Sequence, residues 1–182
     1  MRNISDYEKL FELMHQRQSI RKFQKKEIPK KIIEKIVSAG TTAPSSFNSQ
    51  PWKFYVIQNA EKKNQIRELY EMVRKKKGWY KQDVSFIENA TPIIVTCEDD
   101  AHGKIISCGM AIQNMFLAAE SLGLGSLPAG TLVTDEETVS QVKKICEISK
   151  EEKIILGTFF GYKDETPERK ERKDLNSILE FK

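Results

Sequence analysis

The chain has 182 residues, of which 39% are hydrophobic, and this is enough for one domain with a core that needs no cross-links. Thirty basic residues against 26 acidic ones give a formal charge of +4, and the charges are interspersed. There is no acidic or basic tail and no stripe of basic and aromatic residues, so no nucleic-acid partner is expected. We predict a single domain over residues 1–182.

Cysteine usage and hydropathy indicate the compartment. Cys97, Cys108 and Cys146 are widely spaced and form no Cys-x-x-Cys pair, which predicts reduced thiols instead of a disulfide framework or a zinc site. The first residues lack the apolar run of a signal peptide, and no window approaches the roughly 18 apolar residues of a membrane span. The expected location is therefore the cytoplasm, with no membrane partner.

Two helices are predicted ahead of the first strand. A capping box at residues 5–8, followed by apolar residues at helical spacing, predicts a helix over about residues 6–16. Pro29 near a first turn, an apolar face behind it and Gly40 as a stop signal predict the second helix. Residues 41–52 are rich in small polar side chains and are predicted to form a loop.

The rest of the chain mixes strands and helices without strict alternation. Runs of aromatic and β-branched residues predict strands, while apolar periodicity and a second capping box predict helices. In chain order these are a strand at 53–57, a charged helix at about 60–77, a strand at 93–96, a buried helix at about 104–122, a helix from Thr134 to about Cys146 and a strand at 153–162. The expected fold class is α+β, because no regular βαβ units are present.

Residues 17–23 follow the first predicted helix and carry a basic pattern. In an extended segment Arg17, Ser19 and Arg21 point to one side. Guanidinium groups bind phosphate bidentately, and a serine between them can bond to a neighbouring hydroxyl or ring oxygen. The pattern predicts either an anion pocket or an exposed basic loop. Residues 126–131, which are mostly small, could let the backbone approach a flat ligand.

No group of side chains indicates a protein nucleophile or a metal site. His15 and His102 lie far apart, and the chain lacks Gly-x-Ser-x-Gly, Walker and His-Glu-x-x-His motifs. Asp99, Asp100 and His102 are explained as well by a solvated acidic turn as by a metal, and we expect no metal. If the chain does chemistry, a bound cofactor is expected to supply the reactive atoms.

Four motifs occur together along the chain. They are Arg17-x-Ser19-x-Arg21-x-Phe23, Ala43-Pro44-Ser45-Ser46-x-Asn48-x-Gln50-Pro51-Trp52, the stretch from Gln113-Asn114 to Gly123-Leu124-Gly125, and Gly161-Tyr162 followed by Arg172-Lys173-x-Leu175. In this order and spacing they resemble the FMN-dependent nitroreductase family over essentially the whole chain. The resemblance implies a nitroreductase-like α+β fold with a central mixed or antiparallel sheet flanked by helices, and an intertwined homodimer with FMN at the interface.

The resemblance also implies which residues bind FMN. Arg17 and Arg172 would hold the phosphate, Arg21 would lie near the pyrimidine end of the flavin, and the Pro44 loop would come from the partner subunit. Backbone amides near Ala129 would face flavin N5. The full implied set is Arg17, Gln18, Ser19, Arg21, Pro44, Ser45, Ser46, Asn48, Pro128, Ala129, Gly130, Lys170 and Arg172.

The activity implied by the resemblance is a ping-pong transfer of electrons from NADH or NADPH, through FMN, to nitroaromatic, quinone or related electron-poor acceptors. No side chain need be catalytic, since the chemistry takes place at flavin N5. A flavin-binding or redox-sensing module with negligible turnover shares every FMN contact and stays open as an alternative. The chain lacks the long insertions that form a lid in relatives; Trp79 and Tyr80 are the aromatic candidates for that role, or pack at a helix end.

Overall fold

The computed structural model describes residues 4–79 and 84–182, in which six helices surround one sheet. The helices are α1 (Ile4–Gln16), α2 (Lys30–Thr41), α3 (Ala60–Lys76), α4 (Phe86–Asn89), α5 (His102–Ser121) and α6 (Glu136–Cys146), and the strands are β1 (Trp52–Val56), β2 (Thr91–Cys97), β3 (Leu124–Ala129) and β4 (Lys153–Tyr162). Short 3-10 turns cover Ser46–Asn48, Gly130–Val133 and Leu175–Ser177.

The four strands form a sheet in the order β1-β2-β4-β3, and each neighbouring pair is antiparallel. Strands β2 and β4 are central, and a register shift between Val95 and Thr96 interrupts their pairing. One parallel bridge outside these strands joins Ser19 to Ser126 at the free edge of β3. The predicted α+β class is confirmed, with an antiparallel central sheet.

Apolar residues of the central strands pack on both faces of the sheet, because successive side chains of a strand point to opposite sides. Ile94 and Phe159 lie in the core that α3, α4 and α6 cover, whereas Ile93 and Phe160 lie in the core that α2 and α5 cover. Every residue of β2 is buried. This two-sided burial explains why consecutive residues of β2, Ile93 to Val95, are all apolar.

Three details of the sequence-based assignment are wrong. Residues 126–129, for which no strand was predicted, belong to strand β3. Gly40 lies inside α2 and does not end it; a Cβ there would come within 2.8 Å of Met115 Cγ on α5, so this position permits the two helices to approach closely. The second capping box is shifted by one residue, since Asp135 caps α6 by accepting from the Thr138 N–H.

The three cysteines are free and buried. Burial, together with the neighbouring Cys97, raises the pKa of the Cys108 thiol to about 12. Burial likewise raises the pKa of Cys146 to about 11. Both thiols therefore stay protonated at neutral pH, the unreactive state for a cysteine.

The acidic turn before α5, which was weighed as a metal site, has a local explanation. Asp99 accepts from the Ala101 N–H and from Lys104 Nζ, the latter at 2.6 Å, so it belongs to an ion-paired turn at the start of α5. No helix within the two described ranges is long and apolar enough to cross a membrane.

Candidate functional site

The Arg17 segment is seated on the edge of the sheet by two buried side chains. Its backbone bonds to β3 through the Ile20 N–H and Ser126 O, 3.0 Å apart. Ile20 and Phe23 are only 2% and 4% exposed. They fit because a Cβ on Gly125 would lie 2.7 Å from Ile20 Cγ1, and one on Gly161 would lie 2.6 Å from Phe23 Cδ1. The apolar anchors turn the polar side chains between them outward.

The C-terminal tail leaves β4 alongside the same segment. Phe23 and Lys163 form an antiparallel bridge. The Gln24 N–H donates to Tyr162 O at 2.9 Å, and the Asp164 N–H donates to Lys22 O at 3.0 Å. Past Asp164 the tail runs back toward the end of α1, where it faces Arg17.

A cavity of about 370 Å³ lies between α1, the Arg17 segment and the tail. Its lining contains five cationic side chains and one carboxylate. The lining residues are Phe11, Met14, His15, Arg17, Gln18, Ser19, Arg21, Pro167, Glu168, Arg169, Lys170 and Arg172. A cavity with this excess of positive charge suits an anion, and arginine forks suit a phosphate in particular.

Arg17 and Arg172 come together although they are far apart in the sequence. Burial, and then the nearby Arg172 guanidinium, lower the pKa of Arg17, while Glu120 partly offsets both. The Glu120 side chain is 6% exposed and pairs with Lys163 Nζ at 2.5 Å. The two guanidinium groups thus repel each other, a charge arrangement that an anion in the cavity would neutralise.

Six of the thirteen sequence-predicted site residues line this cavity. They are Arg17, Gln18, Ser19, Arg21, Lys170 and Arg172. These six come from the two segments that the first and the last sequence motif identify. These six residues therefore share one cavity, in which Arg21, Lys170 and Arg172 are solvent-exposed.

The Pro44 loop lies elsewhere, against the start of α5. The Ser46 N–H donates to Ser107 Oγ at 3.1 Å. Phe47 and Asn48 have positive φ values of 52° and 55°, which are uncommon for residues other than glycine, and Phe47 is fully exposed. None of the loop residues predicted for the site, Pro44 to Asn48, lines the cavity of its own chain.

Pro128, Ala129 and Gly130 lie at the end of β3, outside the lining of the anion cavity. Ala129 is buried, whereas Pro128 and Gly130 are exposed. A Cβ added to Gly130 would have no heavy atom within 4 Å. The backbone at Gly130 therefore borders open space, as an approach by a flat ligand requires.

Sequence reasoning missed the wall that α1 contributes. Phe11, Met14 and His15 line the cavity, and the rings of Phe11 and His15 lie 4.2 Å apart. The signal was present, because the apolar face of α1 was recognised, but such a face is usually assigned to the core. In this chain Phe11 and Met14 are each 47% exposed.

Trp79, one of the two aromatic candidates for a lid, does not line this cavity. Trp79 is held at the end of α3, where its N–H donates to Arg74 O at 2.7 Å and its carbonyl accepts from Arg74 Nη2 at 2.5 Å. Both bonds involve the Trp79 main chain, and the residue is 47% exposed. Tyr80 lies outside the described residues.

The fold defines the class, an α+β protein with a cation-rich cavity between the segment after α1 and the tail. Residues 14–162 match the model of the nitroreductase family, and the chain belongs to that family of oxidoreductases. The family and fold class predicted from the motifs are thereby confirmed.

Individual relatives support this membership. The chain is 30% identical over 163 residues to a Methanothermobacter thermautotrophicus protein with the provisional name NADH dehydrogenase/NAD(P)H nitroreductase, which covers 87% of this chain and 79% of that one. It is 30% identical over 134 residues to the iodotyrosine deiodinase of Thermotoga neapolitana, covering 65% and 72%. The solved structure of a nitroreductase with bound FMN from Bacteroides fragilis has a TM-score of 0.75 at 25% identity, covering 94% and 97%.

Proposed function

We propose that this chain is an FMN-dependent oxidoreductase that takes electrons from NADH or NADPH and passes them to electron-poor acceptors such as nitroaromatics and quinones. One observation carries the proposal. Arg17 and Arg172 are brought together in a cavity of the phosphate type, in a chain whose family includes a solved member holding FMN.

The cavity residues fit the phosphate end of FMN. A phosphate monoester carries a charge of about −1.5 to −2 at neutral pH and three acceptor oxygens. Two guanidinium forks match those oxygens, whereas without an anion burial and mutual repulsion lower the pKa of Arg17. The further cations Arg21, Arg169 and Lys170 in the lining also favour an anionic ligand.

We assign the remaining side chains by their position around this phosphate site. Lys170 would assist Arg17 and Arg172, and Gln18 and Ser19 would face the ribityl chain or the ring. Arg21 would lie at the pyrimidine end, where a fixed cation stabilises negative charge that develops on reduction. Bound FMN supplies hydride acceptance and electron delivery at its N5 atom. Pro128, Ala129 and Gly130 would border that atom with open backbone.

We further propose that the working form is a homodimer in which the Pro44 loop of the partner completes the site. The support is apolar surface without a partner in the described chain. Exposed large apolar residues of α1 and of the tail are Tyr7, Leu10, Phe11, Met14, Leu175, Ile178, Leu179 and Phe181. A second copy is the occupant that fits, because Pro44, Ser45, Ser46 and Asn48 do not reach the cavity of their own chain.

Flavin retention and reduction test the proposal. Purified protein incubated with FMN and desalted should keep the flavin spectrum, and mixing with NADH or NADPH should bleach it within seconds. The reduced form should then be reoxidised by an acceptor panel of a nitroaromatic, a quinone and 3-iodo-L-tyrosine. Colourless protein after desalting would refute FMN binding. Oxidised flavin that persists for many minutes would instead favour the sensing module over the enzyme.

The dimer has its own test. Light scattering coupled to gel filtration should give twice the chain mass, and a charge placed on the exposed apolar face of α1, Leu10→Glu, should give monomer that no longer retains FMN. A monomeric wild type that retains FMN would contradict the shared site.

A further inference from the structure

The tail residues that line the cavity follow a short group of contacts made by Lys163, Asp164 and Glu165. Between Thr166 and Lys173, no hydrogen bond or ion pair joins the tail to the rest of the described chain, residues 4–79 and 84–182. Immediately before this stretch, the Glu165 carboxylate bonds to the Arg17 segment. The next local anchor is Asp174, whose side chain bonds only to its own turn, at Asn176 N. Glu165 is therefore the last residue before Arg172 that joins the tail to the rest of the described chain.

Glu165 makes two hydrogen bonds with a single carboxylate oxygen. Its Oε1 accepts from the Arg21 N–H, and also from the Lys22 N–H at 3.1 Å. Two successive backbone amides that point at one oxygen form a small anion-binding concavity. Hydrogen bonds to an ionised acceptor are stronger than those between neutral groups. The side chain is half-buried, so water competes with these bonds less than at an open surface.

Electrostatics alone would not bring Arg172 to Arg17. The two guanidinium groups repel each other, and after burial this repulsion is the next cause that lowers the pKa of Arg17. Five cations around one cavity add to the repulsion. A restraint outside the cavity is needed to keep the tail there before an anion arrives.

We propose that Glu165 is a positioning residue that clips the tail to the backbone of Arg21 and Lys22 and so holds Arg172 opposite Arg17 before the cofactor phosphate binds. The inference rests on the proposed function, because it names what prepares the phosphate site. A site that is ordered in advance binds more tightly, since less ordering remains to be done on binding.

The charge of Glu165 and its role as a clip predict opposite changes in FMN affinity when the residue is replaced. Glu165 carries a negative charge close to a cavity that binds an anion, so its removal should tighten phosphate binding if only the electric field matters. Loss of the clip should weaken binding. Glu165→Asp separates the two effects fully, because it keeps the charge and shortens the reach by one methylene. Glu165→Ala removes both the charge and the clip.

Glu171→Ala is the matched control. Glu171 lies in the same stretch of the tail and is exposed, and it makes no hydrogen bond or ion pair in the described chain. The variant removes the same charge without removing a clip. FMN affinity should stay equal or increase slightly.

The experiment measures Kd for FMN and for riboflavin, which lacks the phosphate, together with amide hydrogen exchange at Arg21 and Lys22 in the protein without flavin. Glu165→Asp should raise the Kd for FMN by roughly fivefold, the value of one net hydrogen bond. Glu165→Ala should raise it by a smaller factor, because removal of the negative charge offsets part of the loss. The Kd for riboflavin should not change, and protection at the two amides should fall. A merely structural defect would weaken both flavins alike.

The inference is overturned if the wild type binds FMN and Glu165→Asp binds it equally well, or if the riboflavin Kd shifts by the same factor. Tighter FMN binding by Glu165→Ala would also overturn it, since only the field effect would then remain. These results leave the proposed function intact, which fails on a different observation, the absence of flavin from the wild-type protein.

Discussion

The two sides of the anion cavity are attached to the protein in different ways. Residues 17–23 are bound to β3 and seated by Ile20 and Phe23 in space left by two glycines. Residues 166–173 have no such anchor in the described chain and follow the Glu165 clip. Arg17 is therefore positioned by the core and Arg172 by surface hydrogen bonds, so changes in core packing and changes in the tail should affect the site differently.

Removal of either arginine tests this comparison most directly. Arg17→Ala and Arg172→Ala should each weaken FMN binding by roughly 1.5–3 kcal/mol, the scale of a hydrogen bond to a charged group. Arg17→Ala should have the larger effect, because its side chain is partly buried and fixed, whereas the tail can bring Lys170 closer in place of Arg172. Fluorescence titration with FMN measures both.

Riboflavin titration is the control, because its Kd should be nearly the same for both variants and the wild type. A larger loss for Arg172→Ala than for Arg17→Ala would show that the tail dominates the site and would invert the comparison.

Gly161→Ala should disturb the core-anchored side alone. The added Cβ would lie 2.6 Å from Phe23 Cδ1, so the ring must move and the segment with it. Overpacking of this kind costs about 1–3 kcal/mol of folding free energy. Chemical denaturation should show this loss, and FMN affinity should fall at temperatures where the variant is still folded.

Gly109→Ala is the matched control for this substitution. Gly109 lies in α5, where a Cβ would have no heavy atom within 4 Å. Alanine in a helix interior should raise stability by about 0.5–1 kcal/mol over glycine. Equal stability of Gly161→Ala and wild type would disprove the tight seating of Phe23.

The same contrast explains which parts of the site the sequence could predict. Arg17, Ser19 and Arg21 were predicted because alternation in an extended segment is a local property. Glu165 carries no local signal, since its partners are backbone amides 143 and 144 residues away, and backbone amides have no signature in a sequence. The α1 wall was missed for a similar reason. An apolar helix face shows that something covers it, but not whether the cover is the chain's own core, a ligand or a second copy.

Fold elements were predicted better than their ends. Helix α5 and strand β4 follow from apolar periodicity, but β3 was overlooked because its glycine, serine and proline are poor strand residues. Gly125 is needed there because Ile20 packs against the strand at close range. The close packing that positions the Arg17 segment thus requires a residue of low strand propensity, and this is why the sequence pattern did not predict β3.

Arg21 lies between the two sides of the cavity. Its replacement should change the flavin midpoint potential more than FMN affinity, unlike replacement of Arg17 or Arg172. Arg21 is exposed, and its guanidinium Nη1 donates to Ser19 O at 3.4 Å. Arg21→Ala should lower the flavin midpoint potential, because negative charge on the reduced ring loses a nearby cation. A contribution of about 1 kcal/mol corresponds to roughly 20 mV for a two-electron couple.

Spectroscopic redox titration measures this potential, and Lys22→Ala is the control, since its exposed side chain is the neighbouring cation but lies outside the cavity lining. FMN affinity should change less for Arg21→Ala than for Arg17→Ala. If Arg21→Ala leaves the potential unchanged and weakens binding as strongly as Arg17→Ala, then Arg21 is a phosphate ligand.

Asp135→Ala should have the smallest effect on the site, because it should lower the stability of the fold but leave FMN affinity unchanged. Like Glu165, Asp135 accepts from a backbone amide, the Thr138 N–H at 2.9 Å, but it caps α6 and does not clip a tail. Hydrogen bonds from Thr138, with help from Lys77, lower the pKa of the Asp135 carboxyl to about 2. An aspartate in an unfolded chain has a pKa of about 3.9. Because the folded pKa is the lower one, the stabilisation is complete above about pH 4 and is lost as the pH falls toward 2.

The melting temperature of Asp135→Ala should therefore be a few degrees below that of the wild type at pH 7, and the difference should narrow as the pH falls from 4 toward 2. Glu136→Ala is the control, as it removes a carboxylate of the same turn that makes no hydrogen bond in the described chain. FMN affinity should be unchanged in both variants. A weakened FMN affinity in Asp135→Ala would mean that any loss of a carboxylate–amide bond disturbs the site through global stability, and the distinction between a structural cap and the Glu165 clip would then fail.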